Sequence, residues 1–197
     1  MPIAERRIVP EDIIADDDFG HIRADRRRDM LPAKKLRRIP LGPDCTVYFE
    51  SYHTMLFQIQ EMLFIERGGA EQLADEMAAY NPLIPQGDEL VATIMFEIDN
   101  KDRRLAFLRS IGGVEENFLI RIGNETARGV AEDDVERTTE DGKTSSVHFV
   151  HFPMTAAQKA AFVSGNEDVF VGCDHENYTH MALVSPTSRS ELAGDFA

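Results

Sequence analysis

Residues 46–85 read TVYFESYHTMLFQIQEMLFIERGGAEQLADEMAAYNPLIP, and the way this stretch folds decides the architecture of the chain. It opens with an alternation of Thr46, Tyr48 and Glu50 against Val47 and Phe49, the period of a half-buried strand. Met55, Leu56, Ile59, Met62 and Leu63 then recur at helical spacing, and Gly68-Gly69 stops the helix after Arg67. A second helix runs from Ala70 to about Tyr80, with Leu73 and Met77 inward, before Asn81-Pro82 turns the chain. Around the apolar face of the first helix crowd Glu50, Tyr52, His53, Gln58, Gln60, Glu61 and Glu66. A core helix that carries such groups must pair them or use them.

Upstream, Pro40-Leu41-Gly42-Pro43 is a strong turn signal that divides one domain, 1–197, into a basic helical arm, 1–40, and a main body, 41–197. In the arm, Pro10–Ile14 reads as a short helical turn and Phe19–Leu31 as a helix that Pro32 interrupts. Asp16-Asp17-Asp18 lacks the alternation of a calcium loop and reads as a cap. Downstream, Leu90–Ile98 is an apolar strand, Lys101–Ile111 a helix capped by Asp99 or Asn100, and 117–130 a hairpin around Gly123-Asn124. Residues 131–143 form a polar, acidic loop. Strands follow over Ser145–Phe152, Asp168–Cys173 and His180–Val184, with helices from Thr155 to Ser164 and from Ser185-Pro186 to about Leu192. Hairpins without a repeating strand–helix–strand unit predict an α+β fold, a mostly antiparallel sheet of six or seven strands with helices packed on it.

The chain has 197 residues, 43% hydrophobic and 28% charged, enough for one sizeable core. Its apolar runs are far shorter than the roughly 20 residues that span a bilayer, and the first residues carry no signal-peptide core. These features predict a cytoplasmic protein without membrane insertion. Cys45 and Cys173 lie far apart with no metal or redox spacing, so two separate thiols are expected. The net charge of −14 is unevenly placed: residues 23–38 hold eight Lys/Arg against two Asp, which makes them +6 and leaves −20 elsewhere. Such a segment is either an arm for an anionic partner or a clamp onto the chain's own acidic body. The overall acidity speaks for the clamp and against nucleic acid.

Three constellations carry residue types with chemistry. Gly172–His180, between two strands, gathers Cys173, Asp174, His175, Tyr178 and His180, donors that suit a transition metal or that tie down a loop. Glu50-x-x-His53 has the spacing of helical di-iron sites, but those need two such pairs and two further glutamates. Lys143-Thr144-Ser145 lacks the glycines of a phosphate loop, although Lys143 with Arg23, Arg27 or Arg38 could clamp an anion. His148 and His151 fall on opposite strand faces.

Lys35-x-x-Arg38 before Gly42-Pro43, Phe49-Glu50, Gln58-Ile59-Gln60-Glu61-Met62, Tyr80-Asn81-Pro82-Leu83-Ile84-Pro85, Ala92-Thr93, Lys143-Thr144-Ser145 before Val147-His148-Phe149, and Asp174-His175-x-x-Tyr178 occur in this order along nearly the whole chain. Together they resemble an uncharacterised bacterial family, domain of unknown function 3501. The resemblance implies no established activity. It implies a setting near rubrerythrin-like and iron–sulfur electron-transfer proteins, and it implies an apolar residue where this chain has Cys173 and a proline near Glu176, which leaves His175 and Tyr178 as better candidates than Cys173.

The leading expectation is therefore an accessory protein that binds a metal ion or small anion and partners a redox or iron–sulfur protein. His175 and His180 would hold a divalent transition metal, and Arg38, His53, Glu61, Lys143, His148 and Tyr178 would line the ligand site. This requires the groups to converge. One alternative is an interaction subunit that docks an acidic partner, or a homodimer mate, through 23–38. The other is an enzyme with His175 or Glu61 as general base.

Overall fold

The computed structural model describes residues 6–132 and 142–196. The apolar strands read above pair into two antiparallel sheets rather than one. The first has the order β1 (Arg38–Leu41), β2 (Cys45–Phe49), β3 (Glu89–Phe96), β7 (Val147–Pro153) and β6 (Val130–Ala131). The second runs β5 (Glu125–Arg128), β4 (Phe118–Ile122), β8 (Val169–His175) and β9 (Tyr178–Leu183). The α+β class and the antiparallel pairing hold, with nine strands among the described residues. Alternation explains the layering: Val47, Phe49, Ile94 and Phe152 leave the first sheet on the side where Ile120, Val171 and Cys173 leave the second, and they form one core. Each such fully buried side chain contributes about 1.5–3 kcal/mol.

The other side of the first sheet carries helices. α1 (Asp16–Leu36), α2 (Tyr52–Glu66) and α3 (Gly69–Tyr80) lie there, and a second core of Tyr52, Met55, Ile59, Leu63, Leu83 and Ile84 joins α2 to Val91. α4 (Lys101–Ser110), α5 (Ala156–Ser164) and α6 (Pro186–Ala193) add Leu108, Phe162 and Leu192 to the first core. Side-chain caps start four of the helices, three of them as expected: Asn100, Thr155 and Ser185 accept from the backbone N–H of Arg103, Gln158 and Ser188, and Ser51 accepts from that of Thr54.

Three expectations are corrected. α1 continues through Pro32 to Leu36, because proline removes one hydrogen bond while the ion pair of Arg37 holds the last turn in place. The turn at 40–43 is a tight hairpin inside the first sheet: Arg38–Leu41 pairs with Cys45–Tyr48, so the arm runs directly into a strand and the division at residue 40 falls within β1. Gly42 is required there, since it has φ +75° and a Cβ on it would stand 2.8 Å from both the Tyr178 hydroxyl and the His180 ring. Finally, Gly172–His180 is not an open loop. β8 and β9 stay paired to His175 and Tyr178, which leaves only Glu176-Asn177 as the turn. The acidic segment read at 131–143 lies largely outside the described residues.

Candidate functional site

α1 is a polar helix with a single fully buried side chain, Phe19, and its place is set by a few strong contacts. Phe19 meets Phe57 and Phe64 of α2 edge-on at 6.4 and 5.7 Å, and Gly20 lets the helices cross closely, since a Cβ there would be 3.1 Å from the Phe64 ring. Arg23 makes two 2.8 Å bonds to Glu61, and this holds the Glu61 carboxyl below its usual range. At the other end Arg37, buried, donates to both carboxylate oxygens of Asp195 at 2.6 and 3.0 Å and to the Glu50 carbonyl at 2.9 Å. The basic arm thus clamps onto the body through Arg23 and Arg37.

The clamp leaves a cavity of about 480 Å³ between the end of α1, the start of α2 and the outer face of β1–β3. That size suits a small organic ligand. Lys34, Lys35 and Arg38 line it and are exposed, so they form its mouth. Phe49, Glu50, Thr54 and Met55 line it and are buried, so they form its floor, with Tyr48 and Met95 as walls. The cations of the mouth are only loosely engaged. Lys34 sits over the Phe57 ring at 5.2 Å, and Arg38 lies over the Tyr48 ring at 5.2 Å and 3.5 Å from Glu97.

Glu50 owes its position to the helix cap. Ser51 and Thr54 bond each other reciprocally at the start of α2, and the Thr54 hydroxyl then donates to Glu50 Oε2 at 2.6 Å. From β3, Thr93 donates to the other oxygen at 2.7 Å. Burial pushes the Glu50 carboxyl up, opposed by these two hydroxyls and by the fields of Lys34 and Arg37.

The residues read as candidates divide between two places. Arg38 lines the cavity, while His53, one helical step away on α2, lines neighbouring hollows with Arg26 and Met30 and with Ser190 and Asp195. Glu61 is taken by Arg23. On the inner side of the first sheet, Phe96 packs edge-on against His148 at 6.0 Å and Tyr178 at 5.5 Å, and Tyr178 against His180 at 4.5 Å. These inner groups are tied to backbone. Tyr178 donates to the Leu41 carbonyl at 2.6 Å, and His148 Nε2 lies 2.9 Å from the Ser145 carbonyl. His175 Nδ1 accepts from the Asn177 N–H at 3.1 Å while Nε2 faces the Gly112 carbonyl at 3.3 Å, so both ring nitrogens serve the hairpin. Lys143 is half-buried ahead of β7. The required convergence does not occur: one set sits between the sheets and the other outside them. Among the described residues no group of three His, Cys, Asp or Glu side chains is placed to hold a metal ion, and no helix is long and apolar enough to cross a membrane. Both thiols are buried, Cys45 pushed up by burial and Cys173 to about 11.

Comparison with known proteins places this arrangement in a family. A family model described as "Protein of unknown function (DUF3501)" matches residues 7–196. The chain belongs to that family. A crystal structure of a protein of unknown function from Burkholderia pseudomallei K96243 is similar to it at 31% identity with a TM-score of 0.89, over 96% of this chain and 99% of the other. No curated protein matches the chain. Several stretches that carried the family resemblance meet in the cavity: Lys35 and Arg38 at its mouth, Glu50 and Gln58 in its lining, and Thr93 behind Glu50. Charge counting marks Lys34 and Lys35 as part of the basic arm, but nothing in local spacing marks Thr54 or Thr93. The basic segment 23–38 and the polar groups around Glu50 mark its two sides separately, and the family pattern of Lys35-x-x-Arg38, Phe49-Glu50 and Ala92-Thr93 spans both.

Proposed function

We propose that the chain is a binding protein for a small amphipathic organic anion, held in the cavity between α1, α2 and the first sheet. The observation that supports this is the pairing of three exposed cations, Lys34, Lys35 and Arg38, with an apolar lining of Tyr48, Met55 and Met95. An acid group at the mouth would gain charge-assisted hydrogen bonds, and an apolar body would leave water for the floor. Of the two ligand types expected from the sequence, this favours the anion. An accessory of a redox system, the setting that the resemblance implies, would use such a pocket to carry or sense an acid rather than to transform it.

Titration calorimetry of the purified chain with octanoate, and with inorganic phosphate as a charge-only control, tests the reading. Octanoate should bind, phosphate should bind more weakly, and a Lys35→Gln/Arg38→Gln variant should lose most of the octanoate affinity. Absence of binding by both octanoate and its ω-amino derivative, or equal octanoate binding by the variant, would overturn it.

A further inference from the structure

Glu50 is a buried carboxyl with no counter-charge in contact among the described residues. Among the described residues no Lys, Arg or His nitrogen forms an ion pair with it: Lys34 lies over Phe57, and Arg37 reaches past the carboxylate to the Glu50 carbonyl and Asp195. Both side-chain oxygens lie within hydrogen-bond distance of hydroxyls, Thr54 at 2.6 Å and Thr93 at 2.7 Å. Two hydroxyls use about half of a carboxylate's accepting capacity. Burial acts against the charged form of such a carboxyl, and a cation or strong donor brought into contact would stabilise it. The residue also lines the cavity floor, opposite the cationic mouth.

Resting on the anion-binding reading, we infer that the ligand is bifunctional: its acid group meets Lys34, Lys35 and Arg38 at the mouth, and an ammonium or other strong hydrogen-bond donor at its far end meets Glu50. The class is that of amino-substituted organic acids with an apolar spacer, which the walls of Met55, Met95 and Tyr48 would cover. A plain fatty acid would bury its methyl end against Glu50 and leave the carboxylate desolvated, and a plain amine would place its cation among the cations of the mouth. Glu50 is then a specificity-determining residue, held in aim by the α2 cap.

Calorimetry with octanoate, octylamine and ω-aminooctanoate, on the full chain and on a Glu50→Gln variant, separates this from the reading beneath it. Unfolding curves of the variant confirm that it is folded, and Glu50→Asp serves as a second variant that keeps the charge. The wild-type chain should prefer ω-aminooctanoate over octanoate by roughly tenfold or more, and Glu50→Gln should erase the preference while octanoate binding stays or improves. Octanoate binding at least as well as ω-aminooctanoate, or an unchanged preference in Glu50→Gln, would overturn the bifunctional ligand and leave the anion pocket standing. Failure of all three probes would overturn both.

Discussion

The space between the two sheets and the outer side of the first sheet hold polar side chains in opposite conditions. Between the sheets Tyr178, His148 and His175 are polar groups in an apolar interior, and each is aimed at a backbone carbonyl, of Leu41, Ser145 and Gly112. On the outer face Lys34, Lys35, Arg38 and Glu50 surround open space. The inner set behaves as pegs that fasten hairpins to one another, as when Tyr178 of β9 holds the β1–β2 turn. The outer set retains hydrogen-bonding capacity that something else can use. Residue type therefore marks a site less well than unspent capacity beside a cavity does.

The largest effect is expected at the clamp that forms the outer cavity. Arg37→Met would strand Asp195 in the interior and should cost about 3–5 kcal/mol, read as a lower denaturant midpoint, with the octanoate site lost as α1 loosens. A stable Arg37→Met chain would mean that the end of α1 is held by other contacts. The Lys35→Gln/Arg38→Gln change should instead separate binding from folding. Charge-assisted bonds of this kind are each worth about 1.5–3 kcal/mol of affinity, whereas exposed substitutions stay within about 0.5 kcal/mol in stability, so calorimetry and unfolding should diverge.

Tyr178→Phe is the mirror test between the sheets. It should cost about 1–3 kcal/mol in stability by leaving the Leu41 carbonyl unsatisfied, and leave octanoate affinity where it was. A binding defect would show that the two regions communicate. The smallest effect is expected at His151, whose ring nitrogen lies 2.9 Å from Glu89 on β3 and whose pKa is raised by that hydrogen bond, with Glu132 adding to it. For a histidine raised on folding, the stabilisation is fully present below its unfolded value of about 6.5 and is lost as pH rises through the folded value. The stability gap between the wild-type chain and His151→Gln should thus be widest in mild acid and close in alkali, and an inverted trend in unfolding midpoints would refute the pairing.

Read from residues alone, the chain already contains the strand–helix–helix run of 45–80, the capped helices at 101, 156 and 186, and the placement of His148 and His151 on opposite faces. These follow from local causes, namely side-chain period, capping hydroxyls and terminating glycines, which act within a few residues of one another. What local order left open was which strands join which sheet, because Gly129 separates β5 from β6 and sends them to different sheets, a choice made by pairing partners distant in sequence. It also left open whether a histidine is peg or ligand. His175 and Tyr178 look like site residues in the sequence, and their partners, Gly112 and Leu41, are 63 and 137 positions away. The cavity is likewise a product of tertiary structure: its mouth comes from α1 and β1, its floor from α2 and β3, and Glu50 is a buried carboxyl without an ion pair among the described residues because Arg37 pairs with Asp195. Periodicity and capping are properties of neighbours along the chain, whereas desolvation and charge pairing depend on groups that only folding brings together.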